Sequence, residues 1–260
     1  VPVFGKVFRG PHHGQHVVMA TGTASGKSLG YQLPALSAVK AARGARGRRG
    51  ATVLYLAPTK ALAQDQLAGL SALGVDLRVT THDGDSSREQ RDWARDHAEY
   101  VLTNPDMLHR SLLPGHARWA SFLGSLVYVV VDECHHYRGV FGAHVAHVLR
   151  RLRRVCAFYG AHPTFVLASA TVAEPEAFAQ RLTGLDTMAV TGDTSPRGEV
   201  SLVLWEPPFT SFTGENGAPV RRAASSEAAD LLADLVVEDV RTLAFVRSRR
   251  GAEQVAMTAA

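Results

Sequence analysis

The residues Thr21-Gly22-Thr23-Ala24-Ser25-Gly26-Lys27-Ser28 set a run of small side chains ahead of a lysine and a hydroxyl, between an apolar stretch and a helix-like one. Small residues let backbone N–H groups turn inward on phosphate oxygens, and a helix N-terminus adds positive potential. Lys27 is then placed to reach β and γ phosphates, and Ser28 to ligate Mg²⁺. The strict pattern has Gly at the first position, where this chain has Thr21, so the match is to the looser loop that accepts any small residue there. The structural alternative is a Gly-rich turn that binds nothing, and the placement of Gly-Lys-Ser at a helix start weighs against it.

A second cluster, Asp132-Glu133-Cys134-His135, follows the most hydrophobic run of the chain, Leu126-Val127-Tyr128-Val129-Val130-Val131. Two adjacent carboxylates after a buried strand are costly unless they are solvated or paired with a cation. Mg²⁺ on a triphosphate supplies that cation: Asp132 would hold the metal through its water shell and Glu133 would orient the attacking water. Lys27, Asp132 and Glu133 are therefore the candidate catalytic residues, with Thr21 to Ser28 binding the nucleotide and Ser28 and Asp132 the metal. Cys134 reads as a packing residue.

These clusters need elements to hold them. Short Val-, Leu- and Tyr-rich runs at His16 to Ala20, Thr52 to Ala57, Asp76 to Thr80, Tyr100 to Thr103, Leu126 to Val131 and Thr164 to Ala168 alternate with helix-like stretches. The helical stretches are Lys27 to Ala42, Lys60 to Leu73, Ser86 to His97, Ala143 to Tyr159 and Glu174 to Leu182. This alternation predicts an α/β fold with a parallel sheet covered by helices on both faces. Leu126 to Val131 lacks polar alternation and belongs in mid-sheet. Lys40 to Gly50 reads as an exposed basic loop. Residues 1–192 form a first domain in this reading, 193–199 a linker, and 200–260 the start of a second α/β unit. In that unit Val200 to Trp205 and Thr242 to Val246 read as strands, and Ser226 to Asp239 and the residues from Arg249 as helices. A complete lobe takes about 150 residues, so the 61 from Val200 to Ala260 would be an incomplete one.

Composition agrees with a folded chain: of 260 residues, 46% are hydrophobic and 20% charged, which excludes disorder as the default. The net charge of +4 leans toward a polyanionic partner without deciding for one. Two cysteines exclude a disulfide scaffold, and no apolar run reaches the roughly 18 residues of a membrane span. A cytoplasmic protein without a membrane partner is the expectation.

Phosphate loop and acidic box together specify a P-loop NTPase. Three further stretches come in order: Ala57-Pro58-Thr59-Lys60-Ala61-Leu62-Ala63-Gln64-Asp65-Gln66, Thr103-Asn104-Pro105-Asp106-Met107-Leu108, and Ser169-Ala170-Thr171. The succession resembles superfamily 2 helicases of DEAD/DEAH-box type, which implies RecA-like lobes, ATP and Mg²⁺ as cofactors, and single-stranded nucleic acid as partner. By that resemblance Pro58, Thr59, Lys60, Thr103, Asn104 and Asp106 line the strand channel, while His135, Ser169 and Thr171 couple nucleotide state to grip. Helix starts at Thr59 and Asn104 offer N–H groups to phosphates, a contact that reads neither base nor sugar and leaves DNA and RNA both open. The run Tyr137-Arg138-Gly139-Val140-Phe141-Gly142 after the box narrows the resemblance to the bacterial mitomycin-repair helicases and their fungal RecQ-related counterparts. Leu29 to Pro34, Gly214 to Pro219 and Thr242 to Glu253 are similar too. The subgroup implies ATP-driven 3′-to-5′ movement on single-stranded DNA and a role in DNA repair.

The chain departs from the family at two places. Val1 to Gly14 does not resemble the upstream helix whose glutamine reads adenine, and Gln15 stands too close to the first strand to replace it. The arginine that the second lobe contributes lies beyond Ala260, so weak turnover by this chain alone is expected. A non-catalytic ATP- and nucleic-acid-binding fragment is the rival reading, and a duplex translocase the third. His144 and His147 share a helix face without a cysteine or carboxylate partner and do not read as metal ligands. Arg150, Arg151, Arg153 and Arg154 read as a solvated face, with nucleic-acid contact as the second reading.

Overall fold

The computed structural model describes residues 14–22, 25–43, 49–193 and 198–260. Thr23 and Ala24 of the phosphate loop, the centre of the Lys40 to Gly50 segment and most of the linker lie outside them. Two compact units divide the chain, Val1–Pro196 and Arg197–Ala260.

The first unit is a parallel sheet of seven strands: β1 Val17–Ala20, β2 Thr52–Leu56, β3 Val79–Thr81, β4 Tyr100–Thr103, β5 Leu126–Val131, β6 Thr164–Ser169 and β7 Met188–Val190. Their spatial order is β3-β4-β2-β5-β6-β1-β7, so β5 occupies the centre. Successive strand residues point to opposite faces, and both faces are buried. Val129 and Val131 join Leu54, Leu56 and Leu167 on one side, while Tyr128 and Val130 join Val53, Tyr55 and Val166 on the other. The first face is covered by α3 (Arg88–His97), α6 (Gly139–Phe158) and α7 (Pro175–Thr183), the second by α1 (Lys27–Ala42) and α2 (Lys60–Ala72). Between β4 and β5 lie α4 (Pro105–Met107), which runs on into a π turn at Leu108–Leu112, and α5 (Ala120–Gly124).

Beyond shifts of one or two residues at element ends, the first unit departs from the sequence reading at three places with a visible cause. Asp76, Leu77 and Arg78 precede β3 rather than forming its start, because Arg78 turns its N–H onto the Glu99 carboxylate. α6 begins at Gly139, four residues early, because Gly139 with φ +58 turns the chain and Gly142 packs where an added Cβ would lie 2.4 Å from the Tyr137 carbonyl oxygen. β7, at the sheet edge, was missing from the sequence reading: three residues carry too little periodicity to register.

At the N-terminal ends of the strands Glu99 is buried and saturated with donors. Arg43 donates to both carboxylate oxygens at 2.9 and 2.6 Å, and Arg78 donates its backbone N–H at 3.0 Å and a guanidinium N–H at 3.1 Å. Burial pushes this carboxyl up, but the Arg43 and Arg78 bonds outweigh it and hold the pKa down at about 2.

The second unit holds a hairpin of β8 (Phe209–Thr213) and β9 (Pro219–Arg221), followed by α8 (Ala224–Val237) and α9 (Arg249–Ala259). Arg222 pairs with Glu227 at 3.0 Å and Asp230 at 2.5 Å, and the Trp205 indole N–H donates to Glu227 at 3.1 Å. Val200 to Trp205 and Thr242 to Val246 form no ladder among the described residues, contrary to the strands read there. Their composition suits a half-buried pleated surface, but Leu202 and Phe245 are exposed, and among the described residues no strand pairs with either segment.

Candidate nucleotide and nucleic-acid site

Parallel strands bring their following loops to one edge, and five adjacent strands carry the chemistry here: β4 ends at Thr103, β2 before Pro58, β5 before Asp132, β6 at Ser169 and β1 before Thr21. The phosphate-loop and acidic-box residues follow β1 and β5, flanking β6. The candidate nucleic-acid residues follow the neighbouring pair β2 and β4.

In the loop, Gly26 takes the left-handed conformation (φ +75) that lets the chain enter α1, whose first turn holds no acidic side chain. The Lys27 ammonium donates to the carbonyls of Thr21 at 3.1 Å and Gly22 at 2.6 Å. Ser25 donates to the Gly22 carbonyl at 2.8 Å and its hydroxyl meets that of Thr21 at 2.6 Å. Tyr31 stands one turn further along α1, with the Ser28 hydroxyl near its phenol.

That tyrosine is the link to the acidic box. Asp132 is buried, and its Oδ2 accepts from Tyr31 at 3.0 Å and from Tyr55 at 2.6 Å, while its Oδ1 accepts the Glu133 N–H at 2.8 Å. Both phenols are pushed well above their ordinary pKa, first by burial and then by the negative charge around them, so they stay protonated, and Tyr31 shares its one proton between Asp132 and Gln66. Gln66 on α2 accepts from Tyr31 at 3.0 Å and from Gln32 at 3.1 Å, which ties α1 to the helix after β2. Tyr31, Tyr55 and Gln66 carry no role in the sequence reading. Their signal was present: Tyr31 stands at i+3 from Ser28, and Tyr55 is a phenol buried in the strand next to the box.

Glu133 has φ +47, uncommon for a residue with a side chain and a mark of local strain. Its Oε2 lies 3.2 Å from His135 Nδ1, the same nitrogen that the Ala170 N–H reaches at 3.3 Å. One ring nitrogen cannot serve both: bare, it accepts from Ala170; protonated, it donates to Glu133. Burial lowers the His135 pKa and favours the neutral ring, whose one N–H can sit on either nitrogen. Ser169 is buried with its hydroxyl against the Cys134 thiol, whose pKa burial pushes up to about 12, and Thr171 is exposed.

On the other side, Thr59 caps α2 by accepting the Leu62 N–H at 3.3 Å, and Asn104 caps α4 by accepting the Met107 N–H at 2.9 Å. Those two amides are therefore spoken for within the protein. Lys60 pairs with Asp85 at 2.6 Å, Thr103 donates to the His82 carbonyl at 2.5 Å, Pro58 is half-buried, and Asp106 is exposed. His82 is a residue that the sequence reading passed over. Buried against Trp119 and bonded to Ser111 at 3.0 Å, it has a pKa lowered to about 4 by burial and by Arg91.

A parallel sheet with a Gly-Lys-Ser loop after one strand and a buried Asp-Glu pair after the central one defines a RecA-type phosphate-loop lobe. The DEAD/DEAH box helicase model matches residues 5–178, and the chain belongs to that family. It is 41% identical over 248 residues to the ATP-dependent helicase YprA of Bacillus subtilis, covering 94% of this chain and 32% of that one. It is 39% identical over 251 residues to the ATP-dependent helicase HRQ1 of Saccharomyces cerevisiae, covering 93% and 22%. The crystal structure of the DUF1998 helicase MrfA bound to DNA and AMPPNP superposes with a TM-score of 0.87 at 39% identity, covering 97% of this chain and 34% of that one. The chain thus spans about a third or less of the length of these relatives. No helix among the described residues is long and apolar enough to cross a membrane.

Proposed function

We propose that this chain is the nucleotide-binding lobe of an ATP-dependent DNA helicase that moves 3′-to-5′ on single strands in DNA repair, with residues 200–260 opening its second RecA-like lobe. The carrying observation is the pair of hydrogen bonds on Asp132, from Tyr31 on the helix that the phosphate loop opens and from Tyr55 on β2, which holds loop and acidic box in one constellation.

The residues fit Mg-ATP. An ammonium at Lys27, a first turn of α1 free of acidic side chains, and a hydroxyl at Ser28 suit the phosphates, and the two carboxylates suit a hydrated divalent cation. The bound cation neutralises charge on the transferred phosphoryl group. Ser28 and Asp132 hold it, Lys27 and the loop amides of Thr21 to Ser28 bind the phosphates, and Glu133 orients the attacking water and takes its proton. Tyr31 and Tyr55 position Asp132. His135, with Ser169 and Thr171 after β6, passes the state of the site to the strand-binding side. Pro58, Thr59, Lys60, Thr103, Asn104 and Asp106 line the path of a single strand. DNA as the partner is supported by the MrfA complex. Phosphate release measured with and without oligo-dT, alongside unwinding of 3′- and 5′-tailed duplexes by the helicase that carries this lobe, tests the reading. Stimulation by oligo-dT and unwinding of the 3′-tailed duplex alone are expected; turnover indifferent to DNA, or a preference for the 5′ tail, would contradict it.

A further inference from the structure

α6 buries Gly142, Val145, Leu149, Leu152 and Cys156, a spacing of three and four that presents one face to the core. The adjoining face carries Phe141, His144, His147, Arg151 and Arg154, again at spacings of three and four, a stripe about 20 Å long at 1.5 Å per residue. Opposite stand Pro105, His109 and Arg110, and the groove between the two walls has a volume of about 490 Å³.

The four arginines of α6 divide by function. Arg150 and Arg153 donate to the carbonyls of Arg181, Leu182, Thr183 and Gly184 at 2.9 to 3.2 Å, closing the C-terminal end of α7. Arg151 and Arg154, like Arg110 across the groove, make no hydrogen bond or ion pair among the described residues. Asp106 is the one carboxylate on the groove walls. Three unpaired guanidinium groups on the two walls of one groove require a polyanion or water. Phe141 at the head of the stripe is 45% exposed, held there by the turn at Gly139 and the close packing of Gly142. A flat apolar ring in a groove walled by cations suits bases and phosphates together, the combination that single strands use. An acidic peptide would employ the arginines and leave the exposed part of the ring, whose other neighbour is Tyr137 at 5.8 Å, uncovered.

We propose that this groove binds a single nucleic-acid strand, with Arg110, Arg151 and Arg154 on its phosphates and Phe141 stacked on a base. This rests on the nucleic-acid reading above and extends it: Asp106 belongs both to the assigned strand path and to the groove wall, so the strand continues from the sheet edge along α6.

The test is fluorescence anisotropy of the full 260-residue chain with labelled oligo-dT across a salt series. Phosphate contacts contribute about 0.7 each to the slope of log K against log salt for single strands, so Arg110→Ala/Arg151→Ala/Arg154→Ala should lower the slope by about 2. Arg151→Lys/Arg154→Lys should keep it, and Phe141→Ala should weaken binding about tenfold. ATP affinity and thermal midpoint should stay at wild-type values in all three. Unchanged affinity and slope in the triple variant, with wild-type protein binding oligo-dT, would overturn the groove and leave the wider function standing. Wild-type protein that binds no oligonucleotide would overturn both. Labelled poly-glutamate that loses its binding in the triple variant while oligo-dT keeps its own would assign the groove to an acidic partner and overturn the proposal.

Discussion

The two ends of the parallel strands are built on opposite principles. At the N-terminal ends, Glu99 accepts four bonds from Arg43 and Arg78, which satisfy both of its oxygens within the protein. At the C-terminal ends, Glu133 sits on a positive-φ backbone, Lys27 is held by loop carbonyls rather than by a carboxylate, and one nitrogen of His135 faces two partners. The first edge spends its charges on stability. The second keeps reactive groups poised, which the fold tolerates because the last four residues of the central strand β5, all buried, anchor the box.

If that division is right, substitutions at the two edges should separate activity from stability. The largest effect is expected for Glu133→Gln: turnover should fall by about 10² to 10⁴, the range for removing a general base, with nucleotide affinity and thermal midpoint preserved. A stopped assay of phosphate release with parallel calorimetry checks it. His82 should be the exception on the functional edge, a stability residue among reactive ones. Its pKa is lowered from 6.5 to about 4, so the unfolded chain takes up the proton first on acidification. Its contribution is complete above pH 6.5 and lost as pH falls toward 4, up to about 3 kcal/mol. Denaturant unfolding across that range should show the loss, and His82→Asn should flatten it. Glu99, held at about 2 against an ordinary 4.5, works in a lower window: its contribution is complete above 4.5 and lost as pH falls toward 2. Glu99→Gln should cost about 2 kcal/mol at neutral pH, discounted because Arg43 and Arg78 are partly solvated, with no change in nucleotide affinity. The smallest effect should be Gly139→Ala, about 1 kcal/mol from the left-handed backbone alone, read as a shift of the urea midpoint.

Much of this arrangement was legible beforehand. The helix Lys27–Ala42 and the strand Leu126–Val131 have the bounds that the sequence implied, because Gly-Lys-Ser starts a helix and six apolar residues in a row need cover on both sides. The phosphate loop and acidic box were visible because each is contiguous. The Tyr31 and Tyr55 bonds to Asp132 join residues 101 and 77 positions apart, and only the order of the strands brings them together. The division of the α6 arginines escaped for a similar reason: which of four neighbouring guanidinium groups is free depends on where α7 ends. Val200 to Trp205 and Thr242 to Val246 show the converse, strand-like composition without a strand to pair with.

The central claim is that the loop after β1 holds a nucleotide through Lys27. Calorimetric titration of Mg-AMPPNP into wild-type protein and Lys27→Ala, with thermal midpoints measured on both, tests it most directly. The account predicts saturable binding by the wild type, a loss of at least about 100-fold on substitution, the scale of a charge-assisted contact to phosphate, and midpoints that agree. Equal affinities in two equally stable proteins would contradict it.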